Sequence, residues 1–402
     1  MSWEKMKLID CCASIADGDH QPPPKSEAGI PFVTIANIVN NQFDFTNSMF
    51  VPNYYYEKLD GKRKAQKGDI LYSVVGSFGI PVFIKEDKPF VFQRHIAILR
   101  PNGNIDARFL YYTMLSRDFY MKVDAAAIGA AQRTVSLTAL RNIKITVPPI
   151  ETQRRVADIL SAYDDLIENN RKQIKLLEEA AQRLYQEWFV DLHFPGHEHT
   201  KIVDGVPEGW EESRADTFFD ITIGKTPPRS EQQWFTDGKK GIPWVSISDM
   251  GNTSTFIFDT SEELTTDAVA KHNVKIVPAG TILLSFKLTV GRVSISGEDM
   301  CTNEAIAHFR IADESIREYA YCYLKNYPYD TLGSTSSISR AINSKIVKSM
   351  PFIMPNHAVI NQFSKCCKPL LEQIKSKQKI ILNLQQARDR LLPKLMSGEV
   401  EV

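Results

Sequence analysis

The sequence lacks the features that mark membrane, secreted and zinc-binding proteins. The sequence of 402 residues contains no apolar run close to the roughly eighteen residues that a membrane-spanning helix needs. Residues 1–7, MSWEKMK, are not followed by an apolar segment like that of a signal peptide. The six cysteines never show the C-x-x-C spacing of zinc sites. We therefore expect a cytoplasmic protein with reduced, mostly buried thiols and no bound metal ion.

The sequence also has no excess of either charge. Its 48 Lys and Arg balance 48 Asp and Glu, so the formal net charge is zero. A protein that binds polyanions over its whole surface would be basic, so any nucleic-acid surface must be local or shared with partners. A composition of 43% hydrophobic and 24% charged residues is typical of a folded protein and excludes disorder throughout.

What the chain does contain is an internal duplication. Residues 29–35, GIPFVTI, recur as residues 241–247, GIPWVSI, and residues 68–73, GDILYS, recur as residues 280–285, GTILLS, both at an offset of 212. Further matches keep the same order at offsets from 207 to 212, and they are Trp3-Glu4 with Trp210-Glu211, Ile96-Ala97 with Ile306-Ala307, Arg133 with Arg340, and Pro148 with Pro355. The chain is therefore predicted to hold two copies of one plan.

Each copy begins with a mixed segment and ends with a helical one. Alternating runs at 32–36, 70–74 and 96–99 predict strands, and residues 107–119 and 315–326 predict one short helix per copy, which together indicate an α+β fold. The pattern changes to long helix after Pro148-Pro149 and again after Pro355. We therefore predict α+β domains over residues 1–150 and 196–357, the second with a short linker, and helical segments over residues 151–195 and 358–402.

The two helical segments carry apolar stripes. Apolar residues recur every three or four positions from 152 to about 189 and from about 358 to 392, where Pro393 is expected to end the regular helix. At ~1.5 Å per residue each helix would be roughly 50 to 57 Å long, too long to bury its stripe against one domain. We therefore expect the two helices to pair, and a local two-fold between the copies makes the pair antiparallel.

Charge favours pairing within the chain. Six basic and eight acidic residues over 151–190 give a net charge of −2, and eight basic and four acidic residues over 358–402 give +4. Opposite signs attract, so each helix should prefer the other over its own copy. Asn170 and Lys377 take equivalent places in the two stripes, where they either fix the register or lie at a solvated flank.

Several motifs of the duplicated chain resemble a known family. Residues 224–230, GKTPPRS, with 241–246, GIPWVS, 290–292, VGR, and 301–303, CTN, resemble a target recognition domain in the specificity subunit of type I restriction–modification systems. Residues 148–189, which run from PPIE through ILSAYDDLIENN to WF, resemble that family's helical spacer, and residues 390–398, RLLPKLMSG, resemble its ending. The resemblance covers essentially the whole chain.

The resemblance implies a non-catalytic subunit that recognises double-stranded DNA. Each target recognition domain would read one half of a bipartite site, and an antiparallel coiled coil would set the unread spacer and dock two methyltransferase (modification) subunits. Two restriction/translocase subunits would complete the enzyme, and S-adenosylmethionine, ATP and Mg would serve the partner subunits, with no cofactor bound by this chain. Because residues 18–26, GDHQPPPKS, only loosely match residues 224–230, an asymmetric site is expected.

Two other classes of function are weighed beside this one. The chain could be an enzyme with its own methyl transfer or cleavage activity, or a coiled-coil protein-interaction adaptor without DNA readout. Gly224-Lys225-Thr226 matches the end of a phosphate-binding loop, but Phe219 stands where that loop needs its first glycine. Residues 197–199, HEH, lack the spacing of a zinc-binding helix, and no methyltransferase or nuclease motif stands out.

The candidate DNA contacts are basic residues in segments rich in turns. Arginine can donate two hydrogen bonds to guanine O6 and N7, whereas lysine mostly neutralises phosphate. The candidates are Lys25, Lys62, Arg63, Lys64, Arg94 and Arg133 in the first copy, and Arg229, Lys239, Lys240, Lys287, Arg292 and Arg340 in the second. Arg133 and Arg340 are favoured because they occupy equivalent positions. Trp234 and Phe235 beside Arg229 are core residues or a wedge for a DNA groove, and core is preferred.

Overall fold

The chain folds into two compact units. The computed structural model describes residues 3–130, 132–236, 240–332 and 342–402. Unit 1 comprises Met1–Leu166 with Leu384–Val402, and unit 2 comprises Ile167–Asn383. Two long helices, Ile150–Tyr185 and His357–Ser397, therefore each contribute one segment to each unit. The four segments expected from sequence divide the chain along its length, whereas these two units group the residues that contact each other. The exact bounds of the four segments stay a prediction.

Unit 1 is built on an antiparallel four-stranded sheet. Its strands, in spatial order, are Cys12–Asp17, Ile96–Pro101, Ile70–Ser73 and Pro81–Phe83. A three-stranded sheet follows the order Met49–Val51, Ile30–Val33 and Val91–Phe92, with the last pair parallel. The two-stranded sheets are Glu4–Lys7 with Lys144–Val147, and Ile38–Val39 with Gln42–Phe43. The shorter helices are Asn53–Lys58, Ala107–Leu115, Arg117–Ala126 and Leu137–Asn142.

Unit 2 repeats this arrangement with one extra strand in each main sheet. The first sheet has the order Asp220–Ile223, Ile306–Arg310, Ile282–Ser285, Val293–Ser296 and Phe256–Ile257. The second has the order Phe235–Thr236, Glu262–Leu264, Ile242–Val245 and Cys301–Thr302. The two-stranded sheets are Ile202–Val203 with Val206–Pro207, and Glu211–Arg214 with Pro351–Met354. The shorter helices are Ala215–Phe218, Ile247–Gly251, Thr266–His272, Arg317–Asn326 and Ser344–Ser349.

Strand register confirms the duplication. Neighbouring strands pair in the same register in both units. In the larger sheets Ile96 pairs with Ser73 as Ile306 pairs with Ser285. At the parallel strand pairs of the smaller sheets Phe32 pairs with Val91 as Trp244 pairs with Cys301. A shift by one residue would move every side chain of a strand to the opposite face, so a shared register requires the same core pattern in both copies. The two units therefore have one scaffold.

The central strand of unit 1 shows how the sequence builds this scaffold. All four residues of Ile70–Ser73 are buried. Ile70 and Tyr72 pack in the core cluster that contains the helices, whereas Leu71 packs in the cluster between the sheets. Successive side chains of a strand point to opposite faces, so a strand that is covered on both faces is apolar except where a buried polar group is hydrogen-bonded, as the Ser73 hydroxyl is by the amide of Ile80.

The long helices pack together within unit 1 through the start of the first and the end of the second. Val156 and Leu160 share the main core of unit 1 with Leu392 and Leu395. At its edge the guanidinium of Arg388 donates to Asp164 Oδ1 at 2.6 Å, and the hydroxyl of Tyr112 donates to Asp164 Oδ2 at the same distance. The final turns of the chain are thus part of the folded core of unit 1.

Within unit 2 the same two helices run antiparallel. Lys377 donates from Nζ to Gln173 Oε1, and the rings of Trp188 and Phe363 lie 5.8 Å apart. From the first contact to the second, the residue number rises by fifteen along one helix and falls by fourteen along the other. This is the antiparallel pairing that the two-fold relation between the copies predicts. Asn170 is buried, so Asn170 and Lys377 occupy the paired side of their helices.

The end of the second helix differs from the expectation. Pro393 does not end it, because the helix continues to Ser397. A proline inside a helix removes one backbone hydrogen bond and crowds the preceding turn, which costs about 3 kcal/mol. Burial of Leu395, only 1% exposed in the core of unit 1, stabilises the continued helix against that cost. The first helix ends in a wider turn at Gln186–Val190, before the Pro195-Gly196 stop.

The cysteines are free thiols, as expected. Cys366 is exposed and the other five are buried. Burial raises the pKa of Cys12 and Cys301 to about 12, so both stay protonated at neutral pH. Over the described ranges, the helices are too short or too polar to cross a membrane.

Candidate nucleic-acid interface

Each unit carries the same tight turn where a strand of its larger sheet ends. In unit 1 the amide of Gly18 donates to Ile96 O at 3.1 Å, and in unit 2 the amide of Gly224 donates to Ile306 O at 3.1 Å. A Cβ atom on Gly18 would collide with the Phe92 carbonyl, and one on Gly224 would collide with the Thr302 side chain. Glycine is therefore required at both positions.

The residues around these glycines carry opposite charges in the two units. We call Gly18–Asp19 with Gln93–Arg94 the Gly18 turn, and Gly224–Lys225 with Asn303–Glu304 the Gly224 turn. The amide of Asp19 donates to Phe92 O at 2.8 Å, and that of Lys225 donates to Thr302 O at 2.9 Å. Arg94 directly follows Gln93 as Glu304 follows Asn303. The acidic Asp19 of unit 1 thus corresponds to the basic Lys225 of unit 2, and the basic Arg94 corresponds to the acidic Glu304.

Polar side chains gather beside the Gly18 turn. Asp17 accepts from His20 Nε2 at 2.6 Å and lies 3.6 Å from Arg63 Nη2, and the hydroxyl of Tyr55 donates to Asp19. Burial and the negative charge of Asp19 raise the pKa of Tyr55 to about 12, so this hydroxyl keeps its proton. The cluster offers hydrogen-bond donors and acceptors of both charges at one surface.

A second set of polar groups surrounds the Gly224 turn. Arg229 donates two hydrogen bonds to Glu262, at 2.7 and 2.9 Å, and its guanidinium lies 4.2 Å from the centre of the Phe235 ring. Thr226 donates to Glu304. Burial raises the pKa of Glu304, but the Thr226 hydrogen bond and the positive charges of Lys287 and Arg229 outweigh burial and lower it. Lys287 follows Phe286, whose amide donates to Ala305 O at 2.9 Å, directly after Glu304.

The predicted DNA contacts differ in exposure and in internal pairing, and Arg229 is both exposed and paired. The other exposed side chains are Lys25, Lys62, Arg94, Lys240 and Lys287. Internal pairing is found at Arg63 with Asp17, Lys64 with the Glu57 carbonyl, Arg133 with Asp124, Arg229 with Glu262, and Arg292 with the Ile247 carbonyl. Lys239 and Arg340 lie outside the described residues. Contact with DNA stays a prediction for all twelve.

Arg133, one of the two favoured residues, is held inside unit 1. Its guanidinium binds the side chain of Asp124, donates to the Asp124 carbonyl at 2.6 Å, and lies 5.4 Å from the centre of the Phe78 ring. A base contact would require it to exchange these partners. Arg94, which is exposed on the Gly18 turn, is better placed for such a contact.

Two other sequence motifs do not have the alternative function that was weighed for them. Lys225 donates from Nζ to the His272 carbonyl at 2.6 Å, and the next element after its strand is the 3-10 turn Gln232–Trp234, so residues 224–226 do not form a phosphate-binding loop. Trp234 and Phe235 pack against the buried cluster around Trp244, which supports their assignment to the core.

Sequence reasoning missed Asp19, Tyr55, Thr226 and Glu304. It selected basic residues, whereas these turns mix both charges with hydroxyl groups. The available signal was the alignment of the two copies, because Gly18 matched with Gly224 puts Asp19 opposite Lys225.

Comparison with known proteins defines the class of this chain. A family model described as the type I restriction modification DNA specificity domain matches twice, over residues 2–179 and 207–386. The chain therefore belongs to the type I restriction–modification DNA specificity family. Its role is DNA sequence recognition, and the two matches coincide with the two copies of the duplicated plan.

Similar proteins carry the same description. The specificity subunit of the type I restriction enzyme HindI from Haemophilus influenzae is 25% identical over 99% of both chains. A putative specificity subunit of type I restriction enzyme MjaX from Methanocaldococcus jannaschii is 26% identical over 100% of this chain and 94% of its own. The crystal structure of a type I S subunit from M. genitalium shares the fold, with a TM-score of 0.56, 16% identity, and coverage of 98% of this chain and 96% of that one.

Proposed function

We propose that this chain is the non-catalytic specificity subunit of a type I restriction–modification complex and reads a bipartite, asymmetric DNA site. Unit 1 binds one half of the site through the surface around the Gly18 turn, and unit 2 binds the other half through the surface around the Gly224 turn. The paired long helices set the length of DNA that is left unread between the halves. This organisation explains why one scaffold is present twice with different exposed side chains.

The observation that carries the proposal is the reversal of charge on a shared backbone. The side-chain pair Asp19 and Arg94 in unit 1 corresponds to Lys225 and Glu304 in unit 2. Basic side chains donate to guanine O6 and N7, and a carboxylate accepts from cytosine N4, so the reversal exchanges the places at which the two surfaces favour guanine and cytosine. A palindromic site would require matching surfaces, and an asymmetric site is therefore proposed.

The proposed partners supply the chemistry. Two methyltransferase subunits dock on the helices, and two restriction/translocase subunits join them. S-adenosylmethionine, ATP and Mg serve those subunits, while this chain binds none of them. We place the assembly in the cytoplasm, where it would meet cellular DNA.

Mapping methylated bases in a host genome tests the proposal. The chain is expressed with its modification subunit, and the modification subunit is also expressed alone. We expect one bipartite, asymmetric motif to be methylated only when both proteins are present. Methylation of the same motif when this chain is absent would support a protein-interaction adaptor. Methylation or cleavage of DNA by the purified chain with S-adenosylmethionine or Mg would support an enzyme.

A further inference from the structure

A second pair of equivalent turns differs between the units in an unexpected way. Both turns follow the central strand of the larger sheet and are closed by a serine. The amide of Gly79 donates to Ser73 O at 3.0 Å, and the amide of Gly291 donates to Ser285 O at 2.9 Å. The serine hydroxyl oxygens also accept from the amides of Ile80 and Arg292, at 2.9 and 3.0 Å. The two turns thus share one backbone design.

At the start of this turn unit 2 has a leucine where unit 1 has a glycine. Gly76 has a φ of 68°, and Leu288, at the equivalent position, has a φ of 60°. Glycine enters this left-handed region readily, whereas a leucine there brings its Cβ close to the following carbonyl oxygen. Leu288 therefore keeps a strained backbone conformation that glycine would adopt without strain.

Packing does not account for this leucine. Its side chain is 96% exposed, and the next most exposed large apolar residue among those described, Ile128, is 69% exposed. An apolar side chain gains free energy when it leaves water, so an exposed one in a strained turn has no stabilising role in unit 2. A backbone outlier of this kind points to a function.

The surroundings of Leu288 indicate which function this is. The amide of Phe286 donates to Ala305 O at 2.9 Å, directly after Glu304 of the Gly224 turn, so Lys287 and Leu288 leave the strand beside that turn. Basic side chains at this place can neutralise phosphates. Apolar residues that proteins insert between base steps partly unstack the bases and kink the duplex.

We propose that Leu288 is an apolar wedge that enters the base stack of the half-site bound by unit 2. This inference rests on the proposed function, because it requires that unit 2 binds duplex DNA. Unit 1, with Gly76 at the equivalent position, binds its half-site without a wedge at this turn. The two halves of the DNA site are therefore deformed unequally.

The test uses the complex of the full chain with its modification subunit and a duplex that carries the motif found by methylation mapping. Dyes at the two ends report the bend by energy transfer, and titration gives the affinity. For Leu288→Gly we expect a smaller bend and roughly tenfold weaker binding, which corresponds to the loss of one buried apolar contact. Leu288→Asn, which tolerates the left-handed conformation but is polar, should behave in the same way.

Controls separate the wedge from folding and from general hydrophobicity. Leu288→Gly relieves the strained turn, so its thermal unfolding midpoint should equal or exceed that of the original chain. Ile202→Asn replaces another exposed apolar residue, 57% exposed on the Ile202–Val203 hairpin, and should leave bend and affinity unchanged.

Three outcomes contradict the inference. An unchanged bend and affinity in Leu288→Gly would show that the leucine does not enter the duplex, while the proposed function would stand. Weaker binding with an unchanged bend would replace the wedge by a surface contact. The absence of any methylated motif that depends on this chain would overturn the proposed function, and the wedge with it.

Discussion

Units 1 and 2 hold the same turns with the same backbone hydrogen bonds, but they place different side chains on them. Asp19 and Arg94 of unit 1 occupy the positions equivalent to Lys225 and Glu304 of unit 2, and Gly76 occupies the position equivalent to Leu288. The glycines that allow close backbone contact, Gly18 and Gly224, are the same in both. The comparison teaches that one backbone scaffold can carry different exposed side chains, which is what the proposed function requires of two units that read different sequences.

The largest effect on the difference between the two half-sites is expected when the domain of one unit is exchanged. Replacing residues 1–148 by the corresponding domain of another specificity subunit should change the first half of the methylated motif entirely and leave the second half unchanged. The reason is that the Gly18 turn, but not the Gly224 turn, lies in the replaced segment. Methylation mapping in the host gives the result.

The exchanged domain must still pack on the helices. Val156, Leu160, Leu392 and Leu395 belong to the core of unit 1, so a cooperative thermal unfolding transition is the control for a sound chimaera. A change in both halves of the motif would show that the two units do not read independently.

Lengthening both helices should alter the spacing between the half-sites and leave their sequences unchanged. Four residues inserted after Asn170 and four after Lys377 add ~6 Å to each helix, which matches about two base pairs of DNA. We expect the unread spacer to grow by about that amount, as read from the methylated motif. An insertion in one helix only is the control, because the two helices can then not keep both the Gln173–Lys377 and the Asp164–Arg388 pairs in register, and it should abolish methylation. An unchanged spacer would refute the role of the helices.

The sequence alone predicts the duplication, the strands near Phe32, Ile70 and Ile96, and the antiparallel long helices. The strands and helices follow from local periodicity, whereas the duplication follows from the repeated motifs and the antiparallel pairing from the two-fold relation between the copies. The partners of the basic residues do not, because Arg229 binds Glu262, 33 positions along the chain, and such pairs form only in the folded unit. Pro393 shows the same limit, since tertiary burial of Leu395 overrides the local preference.

A buried histidine is expected to make the stability of unit 2 sensitive to acid, and unit 1 has no histidine at the same strand position. His308 stands where unit 1 has Ile98, as their pairing with Leu283 and Leu71 shows. Its ring nitrogens hydrogen-bond the hydroxyls of Thr222 and Thr302, at 2.9 and 2.7 Å. Burial, with the nearby positive charges of Lys275 and Arg310, lowers the pKa of His308 to about 4.

The sign of the pH effect follows from proton binding. Below pH ~6.5 the unfolded chain protonates this histidine and the folded chain does not, so stability is present above that pH and is lost as pH falls towards 4. The shift predicts a loss of about 3 kcal/mol in the free energy of unfolding of unit 2. His308→Ile should flatten this dependence in denaturant unfolding measured between pH 8 and pH 4.

Only the slope with pH is diagnostic for His308→Ile, because loss of the two threonine hydrogen bonds also lowers stability at pH 8. Ile98→Val in unit 1 is the matched control and should leave the slope unchanged. An equal slope in the original chain and in His308→Ile would contradict a neutral buried imidazole.

The smallest effect is expected from a single exposed arginine. Arg94→Ala should weaken discrimination at one base of the first half-site by ~1–3 kcal/mol if the guanidinium contacts a base edge, and the second half-site should be read as before. The matched variant is Lys25→Ala, which removes an exposed basic side chain from the same unit. It should weaken binding to all DNA sequences alike and reduce the salt dependence of binding. Competition binding with duplexes that differ at one position separates the two behaviours. If Arg94→Ala weakened every duplex equally, Arg94 would be a phosphate contact, and the charge reversal between the Gly18 and Gly224 turns would no longer explain why the two halves differ.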